Sequence, residues 1–253
     1  LVVPRAVADA AVAYRAKARA RADLDNAGAV MTLLGEAPQR LGARDPSAQA
    51  LPLEDLLGAA GAAEAAEAGD PTAALRALDG LHGVEHVRAH LEQLAARVRV
   101  CAREGRDTTS LLNNYVFHGA PGTGKTTIAR AMGKMLYRLG VLSTDATEEV
   151  SALDLQGSYV GQTKDKLNDV FKKAQGGVLF VGEAYTLGNG HYAQEAVDQL
   201  VALCTAKEHL NKTCVVLAGY KDEMDRMIAN ANPGLRSRFK EVLTFQDWTE
   251  RDV

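Results

Sequence analysis

The run Gly119-Ala120-Pro121-Gly122-Thr123-Gly124-Lys125-Thr126 reads G-x-x-x-x-G-K-T, and no other stretch of the chain limits its fold as tightly. A short apolar run, Tyr115-Val116-Phe117, precedes it, and the helix-forming stretch Ile128 to Leu136 follows. Strand, glycine-rich loop and helix in that order are the context a phosphate-binding P-loop requires. Glycines at 119, 122 and 124 let the backbone turn tightly and aim its N–H groups at phosphate oxygens, and the following helix adds the positive end of its dipole. Lys125 is then placed to reach the β- and γ-phosphates, and the Thr126 hydroxyl to ligate Mg²⁺. Ala120, Pro121, Thr123 and Thr127 complete the candidate cradle.

At 253 residues and 47% hydrophobic content, the chain has enough material for one substantial core and a smaller element. A net charge of -3 gives no global attraction to nucleic acid or to an anionic membrane. No apolar run approaches the length of a membrane-spanning helix, so the expectation is a soluble protein. Its three cysteines, Cys101, Cys204 and Cys214, are widely spaced and odd in number. They predict a reducing compartment, cytoplasm or organelle stroma, with idle thiols rather than a disulfide frame or a zinc site. The first residue is Leu, and the expectation is a piece of a longer chain whose targeting segment is not observable.

Taken in order, residues 5–34 read as an Ala-rich helix, a Pro- and Gly-bearing break runs from Gly35 to Pro52, and a second helix spans Leu53 to Ala66. Residues 1–77 are expected to form a small helical extension or linker, and 78–253 the main domain. Val84 to Glu104 shows a helical apolar pattern at Val87, Leu91, Leu94, Val98 and Cys101. His82, His86 and His90 recur every four residues on that stretch, which suits either a solvated helix face or, with further ligands, a metal site.

Beyond the P-loop helix, Glu149-Val150-Ser151 is a second strand candidate. A glycine-punctuated loop with Tyr159-Val160-Gly161 at its tip leads into a helix from Lys164 to Ala174. Val178-Leu179-Phe180-Val181 and Cys214 to Gly219 are continuous apolar runs suited to strands buried on both faces of a parallel sheet. A helix from Gln194 to Ala206 lies between them, with Ala196, Val197, Leu200, Val201 and Leu203 expected inward. Lys221 to Ala229 is a further helix, and Glu241 to Phe245 a fifth strand. Alternating strands and helices predict a parallel α/β sheet with phosphate bound at the carboxyl end of the first strand.

These residues resemble the CbxX/CfqX-type AAA+ ATPases, a family that includes red-type Rubisco activase and relatives of stage V sporulation protein K. The resemblance runs from about Leu78 to Phe245. Its most specific pieces are Val116 to Thr127, Asp154 to Thr163, Gly176 to Tyr185, Tyr192 to Val197, Leu217 to Tyr220 and Asn232 to Phe239. It implies an AAA+ three-layer sandwich with a five-stranded parallel sheet in the order 5-1-4-3-2, with ATP and Mg²⁺ bound at subunit interfaces of a homo- or hetero-hexameric ring. Glu183 then looks like the carboxylate that activates the attacking water, and Arg238, with Arg236 as the alternative, like the finger that enters the neighbouring site. Gly83 and Val84 fall where the family approaches adenine, Tyr220 where it places a sensor of the γ-phosphate, and Tyr159, Val160 and Gly161 where a pore loop grips a threaded protein client.

Two departures stand out. The family's second carboxylate at the end of the third strand, an Asp that steadies the Mg²⁺ shell, is replaced by Gly182. The chain also stops at Val253, so the C-terminal helical lid of the family is expected to be absent from it. Two functions from different classes follow: a ring-forming ATPase that remodels or threads a protein client, and a nucleotide-binding scaffold whose hydrolysis is impaired by Gly182. A nucleic-acid motor is disfavoured by the acidic balance and by the lack of a basic and aromatic track.

Overall fold

In the computed structural model, residues 71–157, 161–189, 193–231 and 233–246 are described. Residues 1–70 of the expected extension at 1–77, and Tyr159 and Val160 of the expected pore loop, lie outside the described residues.

Five strands, β1 Tyr115–His118, β2 Thr147–Ser151, β3 Val178–Gly182, β4 Cys214–Gly219 and β5 Glu241–Thr244, form one sheet in the order β2-β3-β4-β1-β5. Every pairing is parallel, with His118 level with Gly219 and Thr244, and Ser151 level with Gly182. This is the expected order read from the other edge. The AAA+ sandwich expected from the resemblance is therefore present.

Strand periodicity explains the layers. Tyr115, Phe117, Val178, Phe180, Val216 and Ala218 face one side of the sheet, and Val116, Leu179, Val181, Val215 and Leu217 the other. The first face is covered by α1 Glu85–Arg103 and α2 Lys125–Arg138. The second is covered by the single turn α3 Ala152–Leu155 together with α4 Gln162–Lys173, α5 Ala193–Thr205, α6 Lys221–Asn230 and α7 Pro233–Arg238. Because β1, β3 and β4 are apolar on both faces, they occupy the middle of the sheet, where each buried Leu, Val or Phe contributes about 1.5–3 kcal/mol.

Some boundaries differ from the sequence expectation for identifiable reasons. β2 starts at Thr147 because an edge strand exposes half its surface, so Thr147-Glu148 pairs with Val178-Leu179 without needing apolar side chains. On α5 the inward set is Ala196, Val197, Leu200 and Cys204, while Val201 and Leu203 are only partly buried. A 3-10 segment, Pro71–Leu78, precedes α1 and sends Leu75 and Leu78 fully into the core beside α2. Packing thus begins before Leu78.

Cys204 and Cys214 are buried free thiols and Cys101 is partly exposed. Burial pushes the Cys204 thiol up to about 12 and raises Cys214 further. Neither is a thiolate at neutral pH, and the two behave as small apolar core residues. Among the described residues no helix is long and apolar enough to cross a membrane.

Candidate nucleotide site

At the carboxyl ends of β1, β3 and β4 the strands open a cavity of about 360 Å³. One wall is the loop between β1 and α2, contributing Gly119, Pro121, Gly122, Gly124, Lys125, Thr126 and Thr127. The other comes from the ends of β3 and β4, with Phe180, Gly182, Glu183, Tyr185, Ala218, Gly219 and Tyr220.

The loop is shaped by its own contacts. The Lys125 Nζ donates to the carbonyls of Gly119 at 2.7 Å and Ala120 at 2.5 Å, and lies 3.4 Å from the Thr123 hydroxyl. Thr123 in turn donates to the Ala120 carbonyl at 2.8 Å. Ala120 and Thr123 therefore brace the lysine from behind rather than lining the cavity. Gly124, immediately before α2, has φ +89°, a left-handed conformation that favours glycine, and a β-carbon there would meet Leu81 Cδ1 at 2.8 Å. The lead-in segment thus touches the loop through Leu81. Gly83 lies against the Gln246 side chain, and Val84 is buried at the start of α1, so neither lines the cavity.

On the opposite wall, β3 ends in Gly182 and the next residue, Glu183, turns into the left-handed region with φ +51°. A non-glycine residue there costs about 1–3 kcal/mol and is characteristic of functional sites. Glu183 is exposed and faces the P-loop across the cavity. At Gly182 an added β-carbon would find its nearest neighbours 3.8 Å away, Phe180 Cε1 and the Val150 carbonyl oxygen. Neither backbone nor packing demands glycine at that position.

Tyr185 and Tyr220 complete this wall with ring centroids 6.2 Å apart and planes tilted by 48°. Partial burial, and next the Glu183 carboxylate, raise the Tyr185 hydroxyl above its ordinary range, so it stays protonated. Sequence reasoning picked out Tyr220 but not Tyr185 or Phe180. The available signal was position alone, since Phe180 and Gly182 alternate on the face of β3 that turns to the cavity.

His118, the last residue of β1, is buried at 3% exposure with its Nε2 3.7 Å from Asp225 Oδ1 and no hydrogen-bond partner. Burial first of all, opposed by Asp225 and assisted by Lys221, lowers its pKa, so it is neutral. Asp225 is engaged instead by Lys221 at 2.6 Å. The histidines of the lead-in region do not converge on a metal: among the described residues no group of three or more His, Cys, Asp or Glu could hold one. His90 packs edge-on against Tyr115.

Arg236 and Arg238 lie on α7, outside this cavity. The Arg238 Nη1 donates to the Gly234 carbonyl and to the Ser237 hydroxyl, both at 2.9 Å, whereas Arg236 is exposed. Gly161 caps the start of α4 with φ +84°.

The family model for the ATPase family associated with various cellular activities (AAA) matches residues 115–247, from the first strand through the end of the sheet. The chain belongs to this family. Within AAA its relatives are of the CbxX/CfqX type. Stage V sporulation protein K of Bacillus subtilis (strain 168) is 38% identical over 173 residues, covering 66% of this chain and 53% of that protein. Protein CfxQ of Xanthobacter flavus is 37% identical over 174 residues, 67% of this chain and 53% of that one. The chloroplastic ribulose bisphosphate carboxylase/oxygenase activase of Cyanidioschyzon merolae (strain NIES-3377 / 10D) is 36% identical over 178 residues, 68% and 60% respectively. The chain spans about half the length of the curated relatives it matches.

Membership of AAA implies nucleotide binding, and the lining of the cavity suits phosphate. Gly122 lines the cavity with φ +82° and nothing within 4 Å of where a β-carbon would stand, the glycine-loop geometry whose backbone N–H groups make anion-binding concavities. For Mg²⁺ the donor set is thin: the Thr126 hydroxyl, with Glu183 across the cavity and glycine at 182. A cation that retains several waters and takes phosphate oxygens suits such a set.

Proposed function

We propose that this chain binds ATP with Mg²⁺ and hydrolyses it as one subunit of a homo- or hetero-hexameric ring, coupling turnover to remodelling or threading of a protein client. The observation that carries the reading is the convergence of Lys125, Thr126 and Glu183 on one cavity at the carboxyl end of a parallel sheet. Lys125, braced by the Gly119 and Ala120 carbonyls, exchanges those partners for phosphate oxygens. Thr126 supplies the protein ligand to the metal, whose charge offsets that of the phosphates. Glu183 orients the attacking water and accepts its proton. Arg238, or Arg236 in its place, reaches from α7 into the neighbouring subunit's site and stabilises charge on the transferring group. Tyr159, Val160 and Gly161 contact the client. The three free cysteines favour a reducing compartment, cytoplasm or organelle stroma.

A second reading has specific support. Gly182 removes the carboxylate that would steady the Mg²⁺ shell, which favours a scaffold that assembles on ATP and hydrolyses it slowly. Because a β-carbon enters at 182 without collision, Gly182→Asp is the substitution that separates the two. Restoring a ligand-orienting carboxylate is worth about 10–100-fold. A steady-state gain of that size in the variant supports the scaffold. Turnover that Gly182→Asp leaves within about threefold and that Glu183→Gln lowers by about 10²–10³ supports the motor. The relatives' names span a carboxylase activase and a sporulation protein, so the client is best found by capture on ATP-loaded Glu183→Gln.

A further inference from the structure

Tyr185 stands between two cavities. It lines the nucleotide cavity and also a second one of about 180 Å³ between the 3-10 turn Ala184–Gly188, α5 and α6. Two neighbours hold its ring. A β-carbon at Gly219 would fall 2.8 Å from Tyr185 Cδ1 and 3.0 Å from Met224 Sδ, closer than such atoms approach, so it is the bare backbone of β4 that admits the ring. On the cavity side the ring meets that of Tyr220.

Tyr220 needs such a neighbour. It is 43% exposed at the end of β4, and its side chain makes no capping bond to α6. An exposed phenol held by nothing else samples several rotamers, and an aromatic partner at an offset tilt selects among them. We infer that Tyr185 is a positioning residue: its ring fixes the direction of the Tyr220 hydroxyl toward the terminal phosphate, so that discrimination between nucleoside tri- and diphosphate depends on the tyrosine pair. This inference rests on the nucleotide-binding reading above. The ring is the operative part of Tyr185, since both the Gly219 contact and the Tyr220 contact are made through it.

The test is calorimetric titration of the full 253-residue chain with Mg²⁺ and either ADP or a non-hydrolysable ATP analogue, which reads binding whether or not turnover occurs. Wild type is expected to prefer the triphosphate. Tyr185→Leu should reduce that preference about fivefold to tenfold while ADP affinity stays within about twofold. Tyr185→Phe, which keeps the ring, should retain most of the preference. Tyr220→Phe should lose it, and the double variant Tyr185→Leu/Tyr220→Phe should lose no more than Tyr220→Phe alone, the non-additivity expected of residues acting as a unit. Should Tyr185→Leu fail to fold, Gly219→Ala displaces the same ring without deleting it and is read in the same way. Equal weakening of both nucleotides, an unchanged preference, or additive losses would each overturn the proposal. A wild type that binds neither nucleotide overturns the nucleotide-binding reading and this inference with it. Intact binding without any triphosphate preference overturns the role of the tyrosine pair alone.

Discussion

The P-loop wall meets the nucleotide cavity with glycine backbone at 119, 122 and 124 and with Lys125, Thr126 and Thr127, all from one short run, whereas the facing wall meets it with the side chains of Glu183, Tyr185 and Tyr220 at two strand ends. The first wall is held by short-range contacts: Lys125, Thr123 and the Ala120 carbonyl lie within five residues of one another. The second depends on long-range ones, since Tyr185, in the turn after β3, and Tyr220, just after β4, meet only in the folded sheet. Binding chemistry written into a local motif survives changes elsewhere, and chemistry assembled from distant side chains is sensitive to packing. The two walls should therefore respond differently to substitution.

The largest effect is expected on the P-loop wall. Lys125→Ala removes the one cation that α2 brings to the cavity, and a hydrogen bond to a charged group is worth about 1.5–3 kcal/mol. MgATP affinity should fall by about tenfold to a hundredfold, measured by displacement of a fluorescent nucleotide, with thermal stability little altered because the lysine's present partners are loop carbonyls. Unchanged affinity would remove the P-loop wall from the comparison altogether.

The facing wall offers a sharper contrast between two glycines. Neither Gly182 nor Gly219 has a positive φ, so conformation does not decide between them; space does. Gly219→Ala drives a methyl group into Tyr185 and Met224, overpacking that costs about 1–3 kcal/mol. Gly182→Ala enters room that is 3.8 Å clear and narrows the unfolded ensemble, so it should be neutral or stabilising by about 0.4–1 kcal/mol. Denaturant unfolding of the two variants checks the ranking. Equal costs would mean that Tyr185 is not held against β4 as tightly as its contacts indicate.

That contrast also marks how far the sequence could be read. The P-loop and the five strands were legible because periodicity and a dense motif are local properties: Val178 to Val181 and Cys214 to Gly219 are apolar without interruption, as doubly covered strands must be; the order of the strands came only with the family resemblance. Gly182 was legible as a substitution. What made it informative was not, since only three-dimensional neighbours reveal that a β-carbon has room there. Tyr185 lay in a motif without an assigned task, and its pairing with Tyr220 spans 35 residues. Leu75, ahead of the expected domain boundary, carried no motif, and its burial beside α2 is a tertiary fact. Phe245 was read as the end of a strand. Its contact with Gly119, whose added β-carbon would lie 2.8 Å from Phe245 Cβ, adds a steric reason for glycine at the start of the loop.

The smallest expected effect concerns the strand on which the P-loop wall is mounted. His118 is buried near Asp225 and Lys221, and His209, beside Phe171, is buried near Glu208 and Lys212. In both, burial is the largest cause of a lowered pKa. A histidine held neutral in the folded chain takes up its proton only on unfolding once the pH drops below the unfolded value of about 6.5. Its contribution is then present above that pH and lost as pH falls through the window between the unfolded and the lower folded pKa. Each such histidine steepens the loss by up to about 1.4 kcal/mol per pH unit. His118→Phe and His209→Phe each delete one titrating group whose buried nitrogen, Nε2 in His118 and Nδ1 in His209, has no hydrogen-bond partner to lose. Denaturation midpoints between pH 7 and 5 should therefore decline less steeply in either variant than in wild type, and least in the double variant. If His118→Phe leaves the slope as it was while His209→Phe reduces it, then Asp225 has compensated for the desolvation of His118, and the strand end beneath the P-loop carries a charge that its burial argues against.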